Sequence, residues 1–143
     1  MSSKNNSPLA SMAVAVGEWT MESPQYPEFR GRATIEWIEE GAYVAVRDAV
    51  EEGDFPSGTW IIGGDDSTSG CISLYHDSRD VRRVYQMSIV RGVWKIWRNA
   101  PAFNQRFTGK LADDHKTIVG RWEVSSDGSN WQKDFDLIYR KIR

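Results

Sequence analysis

Few side chains in this sequence are of a type that does chemistry, and those few are scattered. His76 follows Leu74-Tyr75 and precedes Asp77. A histidine in that place would suit a haem iron or a general base; bonded to Asp77 or water at a strand end, it does neither. His115 sits in Asp113-Asp114-His115-Lys116, which reads as the polar tip of a hairpin. Two distant histidines without ligand spacing do not make a zinc site. Asp65-Asp66-Ser67-Thr68-Ser69 is rich in oxygen, but it lacks the alternating Asp spacing and closing Glu of a calcium loop. No Gly-rich phosphate loop, nucleophile elbow or Cys–His signature occurs. The expectation is therefore no catalytic residue, no metal site and no cofactor.

What remains is aromatic and cationic. Aromatic residues make up 12 % of the chain and include seven Trp, a composition that suits both pleated sheets and binding cavities. The arginines Arg47, Arg83, Arg98, Arg106 and Arg121 fall within strand-like stretches. An arginine facing into an apolar interior can hold a carboxylate through two parallel hydrogen bonds. Alternation sends Arg106 and Arg121 outward. Arg83 shares parity with Tyr85, Met87 and Ile89, and Arg98 with Trp94 and Ile96, so both are candidates to face in. Asp48 shares parity with Val44, Val46 and Val50; facing in, it would need a partner.

These residues need elements to hold them. Ser7-Pro8 is a helix-start signal, and Leu9, Met12, Ala13 and Val16 then follow at helical spacing, with Gly17 as the stop. Residues 1–6 read as a polar, disordered tail. From Trp19 onward the chain alternates strand and turn. Ten strands are expected, over 17–23, 30–39, 42–51, 58–63, 70–77, 81–90, 92–98, 102–110, 115–125 and 130–141. Every linker is too short for a crossover helix, so consecutive strands pair as hairpins. A ten-strand meander left open would expose two edges, and closure removes them. The fold class expected is all-β: a closed antiparallel up-and-down barrel with one short N-terminal helix, forming a single domain over 7–143.

Alternation assigns faces. Phe103, Gln105 and Phe107 share one, as do Ile118, Gly120, Trp122 and Val124, and Trp131, Lys133, Phe135, Leu137 and Tyr139. In 92–98, two face assignments compete: Trp94, Ile96 and Arg98 against Val93, Lys95 and Trp97.

Gly17-Glu18-Trp19, at the junction of helix and first strand, resembles the G-x-W signature of lipocalins and their calycin relatives. The stretch from Gly120-Arg121-Trp122-Glu123 through Ser126-Asp127-Gly128-Ser129-Asn130-Trp131 to Tyr139 is similar to a small bacterial lipocalin-like family without an assigned function. The resemblance implies that the helix plugs one barrel end and that Trp19 packs over it as a structural plug. It also implies a basic partner for Trp19 from the last strand, Arg140 or Arg143. Only Ser23 to Glu28 is available between the first two strands, which leaves no room for the two-helix lid of fatty-acid-binding proteins. With the plug where the first strand begins, the mouth falls at the opposite end, where turns 24–29, 52–57, 77–80, 99–101 and 125–130 gather. Tyr26, Phe29, Phe55 and His76 are the mouth candidates.

The net charge of −2 and the absence of a basic stripe argue against nucleic acid. Cys71, the single cysteine, permits no internal disulfide and points to a reducing compartment, so the chain is expected to be cytoplasmic. No apolar run is long enough for a membrane helix. The leading expectation is a binding module, monomer or homodimer, for a small apolar or amphipathic molecule. Its interior candidates are Trp37, Tyr85, Met87, Trp94, Arg98, Phe103, Gln105, Phe107 and Trp122. The alternatives are an isomerase, cyclase or decarboxylase using Arg98 with Asp48 or Tyr85, and an interaction domain with a filled core.

Overall fold

The computed structural model describes residues 9–67 and 69–143; the tail 1–6, the Ser7-Pro8 helix start and Thr68 lie outside the described residues. Ten strands form one sheet: β1 (Gly17–Ser23), β2 (Tyr26–Ile38), β3 (Tyr43–Glu52), β4 (Gly58–Gly64), β5 (Cys71–Asp77), β6 (Arg82–Val90), β7 (Val93–Arg98), β8 (Asn104–Leu111), β9 (Thr117–Ser125) and β10 (Gln132–Lys141). Each pairs antiparallel with its neighbour in the chain, and β1 pairs with β10, from Trp19 opposite Lys141 to Glu22 opposite Ile138. The sheet is thus a closed barrel with no free edge, the solution that short hairpin linkers demand. Among the described residues no helix is long and apolar enough to cross a membrane.

The N-terminal helix differs from the expected α-helix. It is a 3₁₀ helix over Ala10–Ala15. With three residues per turn, every third side chain shares a face, so Leu9, Met12 and Ala15 are buried while Ala13 is exposed and Val16 half-buried. Gly17 does not cap this helix but opens β1, with φ at +147°. A Cβ there would lie 2.5 Å from the Arg143 carbonyl oxygen. Glycine is needed because the end of the chain passes directly beside it: Glu18 N–H donates to Arg143 O at 2.7 Å and Ile142 N–H to Glu18 O at 2.7 Å.

Trp19 is fully buried at this end of the barrel. Its indole N–H donates to Ala15 O at 2.9 Å, tying helix to strand. The cation over its ring is Lys141, with Nζ 5.6 Å from the centroid, rather than Arg140 or Arg143. Alternation excludes Arg140, which points outward to Glu22 at 2.8 Å, while Arg143, of the same parity as Lys141, pairs with Glu18. Lys141 carries the inward parity of Tyr139 and Leu137.

Two other strands depart from the expected pattern at bulges. β2 starts at Tyr26, four residues earlier than expected, because the β1–β2 turn closes with Ser23 opposite Tyr26. The register then shifts before Met21 meets Gly31, and Pro27, which has no N–H to give, falls within the shift. In β10 the register shifts between Lys133 and Phe135. Phe135, Leu137 and Tyr139 therefore face in, while Lys133 faces out to Asp136 at 3.3 Å. Trp131 likewise packs outside, beneath the Arg106 guanidinium at 4.1 Å. The Ser125–Asn130 turn is held by Asp127, whose Oδ1 accepts from the backbone of Ser129 and Asn130, each at 2.8 Å.

Inside, Phe107 lies over two glycines. A Cβ on Gly120 would meet its ring at 2.4 Å, and one on Gly109 at 2.8 Å. Trp122 and Trp94 pack on the ring with centroids at 5.2 and 5.8 Å, so moving it disturbs both. Gly120→Ala is expected to destabilise by about 1–3 kcal/mol, the usual cost of overpacking. A chemical denaturation midpoint equal to that of the parent protein would show that the ring yields freely.

Candidate functional site

The barrel is not solid. Its interior holds a cavity of about 400 Å³, within the range of small-molecule sites. The cavity reaches the loops opposite the 3₁₀ helix: Asp54, Phe55 and Pro56 after β3, Arg79 after β5, Phe103 before β8 and Asp134 in β10 all line it.

Three tiers of rings make its walls. At the mouth, Phe55 packs against Phe29 at 4.4 Å, Phe135 at 5.0 Å and Tyr26 at 5.1 Å. In the middle, Trp60 meets Tyr75 at 4.4 Å, Tyr85 at 5.0 Å and Trp122 at 6.2 Å. At the floor, Trp94 lies 5.8 Å from Phe107 and 6.4 Å from Tyr139.

Polar groups are set into these walls with unequal success. Gln105 is buried, and its Oε1 accepts from the Tyr85 hydroxyl at 2.8 Å and from Arg83 at 3.2 Å. The Arg83 guanidinium also lies 5.1 Å from the Phe103 ring centroid. Burial pushes the Tyr85 hydroxyl pKa up, against the opposing pull of Arg83. Asp77 is buried, which opposes its ionisation, yet Arg79 at 2.6 Å and the Tyr75 hydroxyl at 2.6 Å hold it well below the usual carboxylate range. Asp134, the extra residue at the β10 bulge, is raised by partial burial.

Three other polar atoms have no partner among the described residues. Asp48 Oδ1, Ser73 Oγ and Trp94 Nε1 are buried without a hydrogen bond, and all three residues line the cavity. Asp48 as a residue is half-buried, but its Oδ1 has no surface open to solvent. Desolvation raises its pKa to about 7, with Trp60 beside the carboxyl acting the other way. Burial, reinforced by the charge of Asp48, pushes the Tyr139 hydroxyl far up.

Compared with known proteins, the chain matches no family model and no curated protein sequence.

Of the residues singled out from sequence, Tyr85, Met87, Trp94, Phe103, Gln105, Phe107 and Trp122 line this one cavity, with Tyr26, Phe29 and Phe55 toward its mouth. Phe103 is 41 % exposed, which puts it at the rim rather than inside, while Phe29 is buried. Three lie elsewhere. Trp37 points inward, half-buried against the core, but pairs with Val44 near the helix-plugged end, away from the cavity. Arg98 lays its guanidinium 5.9 Å from the Tyr85 ring centroid without lining the cavity. His76 points outward to Asp80 at 3.0 Å and lines a separate shallow depression between β3, β4 and β5.

Among the lining residues that sequence reasoning left out are Trp60, Ser73 and Tyr75; Phe135 had its face assigned by alternation but was not singled out for the site. In β4 and β5 apolar residues stand at both parities, so no alternation marks the inner face. Ile72 and Leu74 turn out to be the exposed ones.

Proposed function

We propose that the barrel binds a small amphipathic molecule in its interior, with the apolar part of the ligand against the rings and its polar part at the unpartnered groups. The observation that carries this reading is the coincidence of the three orphaned polar atoms with the cavity. A buried polar atom without a hydrogen bond costs about 1–3 kcal/mol. A filled structural core would be expected to replace such atoms with apolar ones or pair them. Three on the walls of one cavity are accounted for if a guest supplies the partners. The calycin resemblance of Gly17-Glu18-Trp19 supports the same reading, because the plug over Trp19 closes one end and leaves the other for entry.

The experiment is a titration with N-phenyl-1-naphthylamine, an uncharged apolar fluorophore, read by quenching of Trp emission. Saturable one-to-one binding is expected. Ser73→Leu, which fills the cavity at an orphaned hydroxyl, should weaken binding at least about tenfold without lowering Tm. Arg121→Ala, which breaks an outer ion pair to Asp136 at 2.8 Å, should leave binding unchanged. Non-saturable binding, or equal affinity in Ser73→Leu, would show that the cavity is not the binding site.

A further inference from the structure

The outward and inward faces carry charge very differently. Outside, carboxylates are matched across strands: Glu36 with Arg47, Glu51 with Arg32, Glu123 with Arg106, Asp136 with Arg121 and Glu22 with Arg140. At the mouth, Asp77 has Arg79. Asp48 has no ion-pair partner among the described residues, although it comes from the middle of β3 and faces the interior. Neither arginine that lines the cavity pairs with Asp48: Arg79 is bonded to Asp77, and Arg83 to the neutral Gln105 and against the Phe103 ring within the cavity.

The surroundings of Asp48 are aromatic. Trp60 lies beside its carboxyl and favours its charged form, and the Trp60 ring is the centre of the middle tier, with Tyr75, Tyr85 and Trp122 within 4.4 to 6.2 Å. Asp48 is the carboxyl at the middle tier, while Asp54 and Asp134 line the loop end of the same cavity. A carboxyl beside several ring faces is the chemistry that recognises an organic cation. The ring faces are electron-rich and attract a cation when water is excluded, and the carboxylate supplies the full counter-charge that a buried ammonium requires.

We infer that the molecule bound in this cavity is an amphipathic amine whose ammonium group lies between Asp48 and the rings of the middle tier. This rests on the reading of the cavity as a ligand site and narrows the class of ligand. An ammonium donates to Asp48 Oδ1, which has no donor of its own, while the hydrocarbon body lies against the ring-lined walls. A carboxylate ligand would instead have to meet Asp48 as a like charge in the same cavity, and an alcohol would satisfy the hydrogen bond without the charge.

The test compares three probes of one length, octylamine, 1-octanol and octanoate, by calorimetric titration of the folded protein at pH 7.5. The expected ranking is octylamine first, by about tenfold or more over 1-octanol, with octanoate last. In Asp48→Asn the amine should lose its advantage while 1-octanol binds as before. An amine no tighter than the alcohol, or octanoate binding best, overturns the inference and leaves the cavity as a ligand site. Should Asp48→Asn fail to fold, the ranking in the parent protein decides alone. If none of the three binds saturably, the cavity reading falls together with the inference.

Discussion

Trp19→Ala is expected to cost about 3–5 kcal/mol of folding stability, the usual penalty for emptying a packed aromatic site. Trp19 has no exposed surface and sits where three pieces of chain converge. Its indole N–H reaches the 3₁₀ helix at Ala15 O. Lys141 of β10 covers its ring, and the backbone of Glu18, just before it, is bonded to Arg143 and Ile142. The strand β1 that carries it is also the one that closes the barrel onto β10. Removal of the ring therefore loosens the plug and the closing seam together. Trp19→Phe separates the contributions: it keeps most of the apolar contact and leaves Ala15 O without its donor, for about 1–3 kcal/mol. Equilibrium urea unfolding measures both. A Trp19→Ala midpoint within error of the parent would show that the helix is dispensable for closure.

That seam shows which kinds of information the sequence carries. Hairpin turns are local chemistry, so the ten strands and their order can be read from Gly, Pro, Asn and Asp punctuation. Closure follows from the cost of open edges. Side-chain direction is legible only where alternation is clean, as in Phe103, Gln105 and Phe107 or in Tyr85, Met87 and Ile89. In β4 the run Trp60-Ile61-Ile62 gives no preference, and in β5 Ser73 faces in while Leu74 faces out. The polar residue is inside because a cavity, rather than a packed core, lies behind it. At the β10 bulge one inserted residue moves Trp131 and Lys133 to the outside, the expected result of a single-residue slip. Depth along the barrel has no signature in a period of two. Trp37 and Arg98 share inward parity with cavity residues, but neither lines the cavity. The choice of Lys141 over Arg140 beneath the plug is parity again, read one residue off.

Stability should fall as pH rises from 5 to 8, and Asp48 should be the main cause. Its carboxyl titrates near 3.8 when the chain is unfolded and at about 7 in the barrel. A carboxyl with a raised pKa binds its proton more tightly in the folded state, so it imposes no penalty below the unfolded value. Between the two values each pH unit removes about 1.4 kcal/mol, and above about pH 7 the full loss is present. The loss is of order 4 kcal/mol in total, with about 3 kcal/mol of it falling between pH 5 and pH 8. The cause is desolvation, because Oδ1 has no hydrogen bond and Trp60 beside the carboxyl offsets only part of the loss. The ionisable groups that face the same cavity on the other strands do not cancel the trend. Tyr139, Tyr75 and Tyr85 have raised pKa values and stay neutral across this range. Arg79 is bonded to Asp77, which raises its pKa further, and Arg83 is bonded to Gln105. Asp54 and Asp134 line the loop end of the cavity, and Asp134, raised by partial burial, acts in the same direction as Asp48. Asp48→Asn removes the titrating proton while keeping the shape, so its stability should change little over the same interval. The informative quantity is the difference between the two slopes, measured by urea unfolding at pH 5, 6, 7 and 8. Parallel slopes for parent and variant would mean that water or a neighbouring group solvates the Asp48 carboxylate. The amine-binding inference would then lose the unsatisfied charge on which it depends.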